Sequence, residues 1–278
     1  DHRDLHSFPT RRSSDLLGFG KQNIEWVDTD EQGRIILTKL PTLDKKTIVV
    51  LQAGNVNTGS FDDFKNIFKI ANISDSWIHI DGAFGLWAAA TNRLNHLTEG
   101  INMANSWSVD GHKTLNTPYD NGIILCKDEK ALSMSLNMTG TYIIQGDKRD
   151  GMQFTPEMSR RARIIELWAT MMFLGRNGIS EMVYELHKRA VQFAEGLRSN
   201  GIEVLNDVCF NQVLAFYRDN ESTLKLLKEV QEQGVCWCGG SKWQGKDVIR
   251  ISVCSWATTE NNIIESIKSF VFAKRKIT

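Results

Sequence analysis

A lysine and an aspartate, each placed just after a predicted β-strand, are the residues of this 278-residue chain best suited to chemistry. Lys113 follows a short strand, and Gly111 before it allows close approach of the backbone. A lysine that is desolvated in a cleft can lose its proton and attack an aldehyde carbon. Asp81 ends an earlier strand, 32 residues before Lys113, and would supply an acidic partner in the same cleft. The pair predicts imine chemistry at one edge of a sheet.

Pyridoxal phosphate is the cofactor whose electronics need such a pair. Its pyridine nitrogen must stay protonated to withdraw electrons from the substrate, and a carboxylate beside that nitrogen stabilises the charge. Loss of carbon dioxide then leaves a carbanion delocalised into the ring. Two other interpretations stay open at this point: Asp81 could cap the following helical segment, and Lys113 could be a solvated surface charge.

The elements that must position these residues alternate between strand and helix. Residues 47–53, 77–80, 106–110 and 121–127 read as strands, the first of them buried on both faces, and Ser60 reads as the N-cap of a helix. This alternation predicts an α/β fold with a mostly parallel sheet covered by helices. Ligands of such sheets bind beyond the carboxyl ends of strands, where Asn55, Asp81 and Lys113 fall.

The pattern changes to that of a smaller α+β domain after residue 155. A helical stripe over residues 161–176 is followed by Gly178, which is predicted to separate it from a second helix ending near Arg198. Strands are predicted at 203–205, 212–217 and 248–254, before a last amphipathic helix. We therefore divide the chain into residues 1–16, a partial cofactor-binding domain of residues 17–155, and a C-terminal domain of residues 156–278.

Residues 1–16 have neither a helical nor a strand period of apolar residues. They resemble the translation of a sequencing-adapter oligonucleotide, so we expect an artefactual or disordered leader. The chain also lacks a starting Met, and we expect that an N-terminal part of the natural protein precedes Leu17.

The composition argues against two classes of partner. The 33 basic and 33 acidic side chains give a formal net charge of zero, which offers no attraction to nucleic acid or to an acidic membrane. No uncharged apolar run is long enough to span a bilayer. Five cysteines suit reduced thiols and a cytoplasmic location. Cys236 and Cys238 make a weak metal motif, and two thiols on one face of a strand is the preferred interpretation.

Several motifs from residue 17 onward resemble the group II pyridoxal-phosphate-dependent amino acid decarboxylases, which share the fold of the aspartate aminotransferase class. They occur in the right order along the chain. They are AGNVNTGSFD (53–62), WIHIDGAFG (77–85), SWSVDGHKTLNTPYDNG (106–122), FTPEMSRRARIIELW (154–168) and RISVCSWATTE (250–260).

The resemblance implies roles for six residues. Lys113 would be the catalytic residue and hold the cofactor as a Schiff base, and Asp81 would pair with the pyridine nitrogen. His112 would lie near the phosphate, where its N–H can donate to an oxyanion. Without the resemblance, His112 reads equally well as a hydrogen-bonded structural histidine.

Three further residues would line the same site. Ala83 would lie against one face of the ring, where a small side chain leaves room, or simply pack. Asn55 would reach the ring's 3-oxygen. His79 points to the same side of its strand as Asp81 and would buttress it or fill the core.

The activity implied is that of a lyase that decarboxylates an L-amino acid to the amine and carbon dioxide. Alternatives are an aminotransferase or carbon–carbon lyase of the same fold, since Lys113 and Asp81 serve those equally, or a non-catalytic homologue. Active sites of this family form between two subunits, so a homodimer is expected. The remaining partner is the small amino acid substrate.

The chain departs from the family pattern in its first hundred residues. Neither the phosphate-binding loop nor the histidine that stacks on the ring occurs between Leu17 and Lys113, so we expect this chain to bind the cofactor weakly or not at all, unlike the intact gene product. The loop that carries a proton-donating tyrosine has none at residues 145–153, although Tyr142 lies just before it. Arg250 is expected in a structural ion pair, and the arginines at 160, 161 and 163 in ion pairs or in solvent at a helix start.

Overall fold

Two four-stranded sheets form the framework of the protein in a computed structural model that describes residues 18–70, 76–136, 146 and 148–278. The first sheet has the order β1-β2-β3-β4 and the second the order β5-β6-β8-β7. The strands are β1 Ile48–Gln52, β2 Trp77–Asp81, β3 Ser106–Asp110, β4 Gly122–Cys126, β5 Glu203–Val204, β6 Gln212–Phe216, β7 Gly239–Trp243 and β8 Lys246–Ser252. The helices are α1 Phe64–Ile70, α2 Glu129–Leu136, α3 Ile164–Ser199, α4 Asn220–Gln233 and α5 Glu260–Ile277.

The first sheet confirms the predicted α/β class, because β1, β2 and β3 run parallel. Side chains alternate along each strand, and Leu51, Ile78 and Ile80 on one face are fully buried. The prediction that β1 is buried on both faces was wrong. Its opposite face is only partly covered, and the neighbouring strand carries His79 and Asp81 on that side.

The fourth strand, β4, lies at the predicted place in the chain but runs in the opposite direction to the other three strands of its sheet. β4 pairs antiparallel with β3, with Asp110 opposite Gly122. The connection at residues 111–121 is shorter than the about twelve residues that a parallel crossover needs. The antiparallel pairing thus folds Lys113 and its turn back over the end of β3.

Helix α1 begins at Phe64, three residues later than Ser60 predicted. Asp63 caps it, because its carboxylate accepts the backbone N–H of Asn66 at 3.2 Å. Ser60 instead donates its hydroxyl to the carbonyl of Gln32 at 2.6 Å. Phe61 is still extended, in a β-bridge with Ala53.

Residues 164–199 form one long helix, α3, and the predicted break at Gly178 was wrong. The kink lies at Gly175, whose φ of 59° and ψ of −177° interrupt the helical backbone. Helix α3 packs Leu167 in the core of the first sheet and Phe193 in the core of the second. It therefore joins the two halves, and the division at residue 155 stays a prediction.

The C-terminal half packs α3, α4 and α5 against an antiparallel sheet, as the pattern of an α+β domain predicts. Thr259 begins α5 with a capping box that includes Asn262. In the described part of the chain, no helix combines the length and the apolar character that crossing a membrane requires.

Candidate active site

The carboxyl ends of β2 and β3 are tied together by backbone hydrogen bonds just beyond the strands. The N–H of Gly82 donates to the carbonyl of Ser108 at 3.0 Å, and the N–H of Asp110 donates to the carbonyl of Ala83 at 2.9 Å. Gly82 is needed there, because a Cβ would lie 2.7 Å from Cβ of Leu86. The turns that carry the predicted site residues are thus neighbours at one sheet edge.

Lys113 lies at this edge in an ion pair that sequence analysis missed. Its Nζ is 2.7 Å from Oδ2 of Asp110, and the Lys113 side chain remains 40% exposed. Asp110 is the last residue of β3, so the same rule that selected Asp81 at the end of β2 could have found it. The carboxylate holds the amine at the sheet edge while leaving it accessible to a small molecule.

His112 lies beneath this ion pair with both ring nitrogens in polar contact. The backbone N–H and the carbonyl of Asn121 both lie 3.0 Å from Nδ1, which accepts from the first or donates to the second according to the tautomer. The other ring nitrogen, Nε2, faces Oδ2 of Asp110 at 3.5 Å. The ring of Tyr119 packs on the imidazole with centroids 4.1 Å apart. His112 is therefore well anchored, in agreement with its structural interpretation, and its predicted role at a phosphate stays a prediction.

Gly111 permits the tight turn between β3 and Lys113, as the sequence predicted. A Cβ at this position would lie 2.7 Å from Oδ1 of Asn121 and 3.0 Å from Oγ1 of Thr117. The first contact is shorter than a real Cβ makes, and the second is tight, so a side chain at this position would require Asn121 to shift. The close approach is therefore built into the turn that presents Lys113.

Asp81 lies on the same face of the sheet as Asp110. It pairs in register with Ser108, and Asp110 follows Ser108 by two residues on the same side. Its Oδ1 accepts the N–H of Ala83 at 3.2 Å, which is a local turn bond. The interpretation of Asp81 as a helix cap was wrong, because the following 3-10 helix Gly85–Ala90 has Phe84 at its N-cap position and no side-chain cap. None of the described residues donates to its other oxygen, so the carboxylate can also accept a bond from a ligand.

His79 contributes to this polar face but does not hydrogen-bond Asp81. Its Nδ1 is 2.9 Å from the hydroxyl of Ser106, and its Nε2 is 3.2 Å from that of Ser108. Burial lowers the pKa of His79, against the opposing effect of the Asp81 charge. The two hydroxyls hold the His79 ring in place near Asp81. Because the pKa of His79 is lowered, the ring is neutral and brings no positive charge close to Asp81.

Ala83 and Asn55 differ in what they can offer a ligand. Ala83 is partly exposed between the turns of Asp81 and Asp110, where its methyl group occupies little space. Asn55 is fully buried, and its Oδ1 accepts the backbone N–H groups of Asn57 and Thr58. Its side chain thus organises the turn after β1, and contact with a ring oxygen stays a prediction.

Asn116 connects the Lys113 turn to the C-terminal half, a role that sequence analysis did not identify. Its Nδ2 is 2.8 Å from the carbonyl of Lys113 and 2.8 Å from that of Cys254. Its Oδ1 accepts the backbone N–H of Trp256 at 3.1 Å. Asn116 has a φ of 56°, a left-handed conformation that asparagine tolerates better than most residues.

The arginines at the start of α3 form ion pairs, as expected, whereas Arg250 in β8 contacts a backbone carbonyl. Arg163 pairs with Asp120 at 2.8 Å and Arg161 with Glu166 at 3.3 Å, as predicted. Arg250 was expected in an ion pair, which is wrong within the described residues. It donates to the carbonyl of Val56 at 3.4 Å and so links β8 to the loop after β1.

These observations fit pyridoxal phosphate on the parts of the site that this chain supplies. An accessible primary amine and a carboxylate with an oxygen to spare lie on one face of one sheet edge, and the small, partly exposed Ala83 lies in the turn after that carboxylate. Lys113 would hold the aldehyde carbon and Asp81 the ring nitrogen. Tyr142 and Gln145 fall outside the described residues.

Comparison with known proteins gives the same family as these residues. A family model described as "Pyridoxal-dependent decarboxylase conserved domain" matches residues 18–216. An aromatic-L-amino-acid decarboxylase of Bacillus atrophaeus is 27% identical over 286 aligned positions, covering 94% of this chain and 59% of the relative. An aspartate 1-decarboxylase of Aliivibrio fischeri is 28% identical and covers 68% of this chain and 36% of the relative. The chain thus spans less than two thirds of the length of these relatives.

Solved structures show the same fold. The Rhodiola rosea 4-hydroxyphenylacetaldehyde synthase superposes with a TM-score of 0.86 at 22% identity, covering 99% of this chain and 61% of that protein. A TDC of Oryza sativa, solved with PLP and tryptamine, gives a TM-score of 0.87 at 18% identity, covering 96% of this chain and 60% of that protein.

Proposed function

Because the chain belongs to the pyridoxal-dependent decarboxylase family, we propose that it acts as a lyase on the α-carboxylate of an L-amino acid. The products are the amine and carbon dioxide, and Lys113 binds the cofactor as a Schiff base. One observation carries the proposal: the Lys113 amine and the Asp81 carboxylate lie on the same face of the same sheet edge. This is the placement that the cofactor's aldehyde and ring nitrogen require.

Each residue of the edge has a distinct part in the proposed reaction. The bound cofactor supplies an electron sink for the bond to carbon dioxide. Asp110 holds the Lys113 amine at the edge through the 2.7 Å contact and can accept its proton. Asp81 would hold its carboxylate beside the ring nitrogen, and His79, whose pKa is lowered by burial, would add no positive charge next to it. Ala83, with a single methyl group, would leave room for the ring.

Borohydride trapping tests the assignment of Lys113 directly. The intact gene product is incubated with pyridoxal phosphate, reduced and digested with trypsin. A modified Lys113 blocks cleavage, so the expected product is a single peptide of residues 94–127 with the cofactor attached. Lys113→Arg is the matched control, because it keeps the positive charge beside Asp110 and cannot form an imine. Equal trapping in wild type and in Lys113→Arg would refute the assignment.

Product analysis separates decarboxylation from the other reactions of the fold. With an L-amino acid substrate, equal amounts of amine and carbon dioxide are expected. A keto acid would indicate an aminotransferase. Trapping at Lys113 with no product from any amino acid would indicate a non-catalytic homologue.

A homodimer is part of the proposal. The first turns of α3 expose large apolar side chains, among them Trp168 (61%), Met172 (68%) and Phe173 (90%). Apolar surface of this kind favours burial against another polypeptide, and we assign a second copy to it. Sedimentation should show a dimer that Phe173→Glu weakens, whereas Phe272→Glu, at an exposed phenylalanine of α5, should not. A monomer at all concentrations would contradict this part.

The location and the other partners follow from the composition. We propose a cytoplasmic enzyme without nucleic-acid or membrane partners, because the formal net charge is zero and all five cysteines are free thiols. Cell fractionation of the tagged protein tests this location.

A further inference from the structure

A pair of cysteines lies at the surface of the C-terminal half, in the loop between α4 and β7. Helix α4 ends at Gln233, and Gly234 caps it with a φ of 66°. Cys236 and Cys238 then precede the first residue of β7, so the predicted strand at these thiols was wrong. The expectation that both thiols point the same way is confirmed, because both pack at the same C-terminal core.

The two thiols are two residues apart and differ in accessibility. Cys238 is only 3% exposed, whereas Cys236 is partly exposed. Both side chains pack against the core of the C-terminal half. Trp237 between them is 81% exposed, so the loop faces solvent. A small reagent can therefore reach Cys236 first and find Cys238 directly behind it.

The two thiols also differ in their pKa values. Donation from the Cys238 thiol lowers the pKa of Cys236 to about 7, and the same contact raises the pKa of Cys238. Burial raises the pKa of Cys209 to about 11 and also raises the pKa of Cys254. Cys236 is thus the thiol best able to react as a thiolate at neutral pH.

We propose that Cys236 and Cys238 are a site of reversible oxidation, at which a peroxide converts the dithiol to an intramolecular disulfide. The Cys236 thiolate attacks hydrogen peroxide, breaks the O–O bond and becomes a sulfenic acid, with release of hydroxide. The Cys238 thiol then attacks the Cys236 sulfur, and the S–OH oxygen leaves as water with the thiol proton. Two thiols lose two electrons, and one peroxide is reduced.

The backbone at this site is suited to the bond. Disulfides require α-carbons within about 7 Å, and an extended tripeptide separates its outer α-carbons by about that distance. Both side chains already pack against one core, so the bond forms without moving either cysteine to another part of the fold. A disulfide near this limit is strained and is therefore readily reduced again.

Peptide mapping of the full chain tests the proposal. Trypsin releases residues 229–242 as one peptide that contains Cys236 and Cys238 and no other cysteine. After peroxide treatment at pH 7 and alkylation, we expect this peptide to lack two hydrogen atoms and to carry no alkyl group. Dithiothreitol should restore both alkylation sites. Peptides with Cys126, Cys209 and Cys254 should stay alkylated.

Serine variants distinguish a dithiol from a single reactive cysteine. In Cys238→Ser, Cys236 should stop at the sulfenic acid, which dimedone traps. In Cys236→Ser, Cys238 should resist peroxide. Iodoacetamide should react with Cys236 of the reduced protein about tenfold faster than with Cys209, and guanidinium should abolish this difference.

Two results would overturn the proposal. One is full alkylation of both cysteines after peroxide treatment of the folded wild-type chain. The other is a peroxide rate at Cys236 that equals the rate at Cys209. Neither measurement depends on the cofactor, so the outcome is independent of the proposed decarboxylase activity.

Discussion

Asn116 is the most informative position at which to test how the Lys113 turn is held. Its amide lies within 3.0 Å of the carbonyls of Lys113, Thr114 and Cys254, and its oxygen accepts the N–H of Trp256. The amide has only two protons for three carbonyls, so one of these bonds is shared. The side chain therefore makes about three effective bonds.

Replacing Asn116 separates the side-chain bonds from the backbone conformation. Each bond is worth about 1 kcal/mol, reduced here because the site is partly exposed, so we assign about 2 kcal/mol to the side chain. Asn116→Gly removes the bonds and accepts the φ of 56°, and it should cost about that amount. Asn116→Ala removes the same bonds but keeps a Cβ in the left-handed region, so it should cost about 1 kcal/mol more than Asn116→Gly.

Urea unfolding of the three proteins measures these differences through the transition midpoint at constant slope. Hydrogen exchange at the N–H of Trp256 provides a local readout, and it should be faster in both variants. Stability of Asn116→Gly within about 0.5 kcal/mol of wild type, with unchanged exchange at Trp256, would refute the role of Asn116 as the connection between the two halves.

Three further predictions concern the framework of the site. Gly111→Ala should destabilise by about 1–3 kcal/mol, because its Cβ would meet Asn121 at 2.7 Å, whereas Gly151→Ala, with nothing within 4 Å, should be near neutral in the same thermal unfolding assay. Asp63→Ala should cost about 1 kcal/mol by loss of the α1 cap, and Asp63→Asn should largely retain it in urea titrations; equal losses would contradict the capping role. Burial raises the pKa of Asp62 from 3.8 to about 6, so the folded state binds a proton more tightly than the unfolded state. Its contribution to unfolding free energy should therefore fall by about 3 kcal/mol as the pH rises from 3.8 to 6, and this dependence should be absent from Asp62→Asn in unfolding curves measured at each pH.

The strands that build the site could be predicted because their composition leaves few alternatives. β1 and β2 are continuous apolar runs, and their predicted bounds agree with the structure to within one or two residues. The residues of β4 do not encode its direction, since an apolar strand can pair with its neighbour in either the parallel or the antiparallel sense. It is set by the short connection at residues 111–121, a length that was visible in the sequence.

The helix boundaries were harder to predict because competing contacts are far away in sequence. Ser60 has the side chain of an N-cap, but the carbonyl of Gln32 takes its hydroxyl. Asp63 then takes the capping position. Likewise, Gly178 is tolerated inside α3, while Gly175 adopts the non-helical backbone. Residue type alone does not distinguish these neighbours, because tertiary contacts decide between them.

Of the site, the sequence predicted the residues at strand ends and missed their partners. Lys113 and Asp81 were found because the carboxyl-edge rule applies to them. Asp110 satisfies the same rule as the last residue of β3, and its pairing with Lys113 adds a partner that the sequence did not predict. Asn116 could not be recognised, since its bonds to Cys254 and Trp256 cross 138 and 140 residues.

The placement of Lys113 and Asp81 at one sheet edge is a property of the backbone rather than of their side chains. The bonds from Gly82 to Ser108 and from Asp110 to Ala83 align the two strand ends without any side chain. Substituting the lysine or the aspartate should therefore remove the chemistry and leave the edge intact. It follows that loss of trapping in a folded Lys113 variant reports on the amine itself. It also follows that the edge could serve any reaction that begins with an imine at this lysine, so the products, and not the framework, must decide among them.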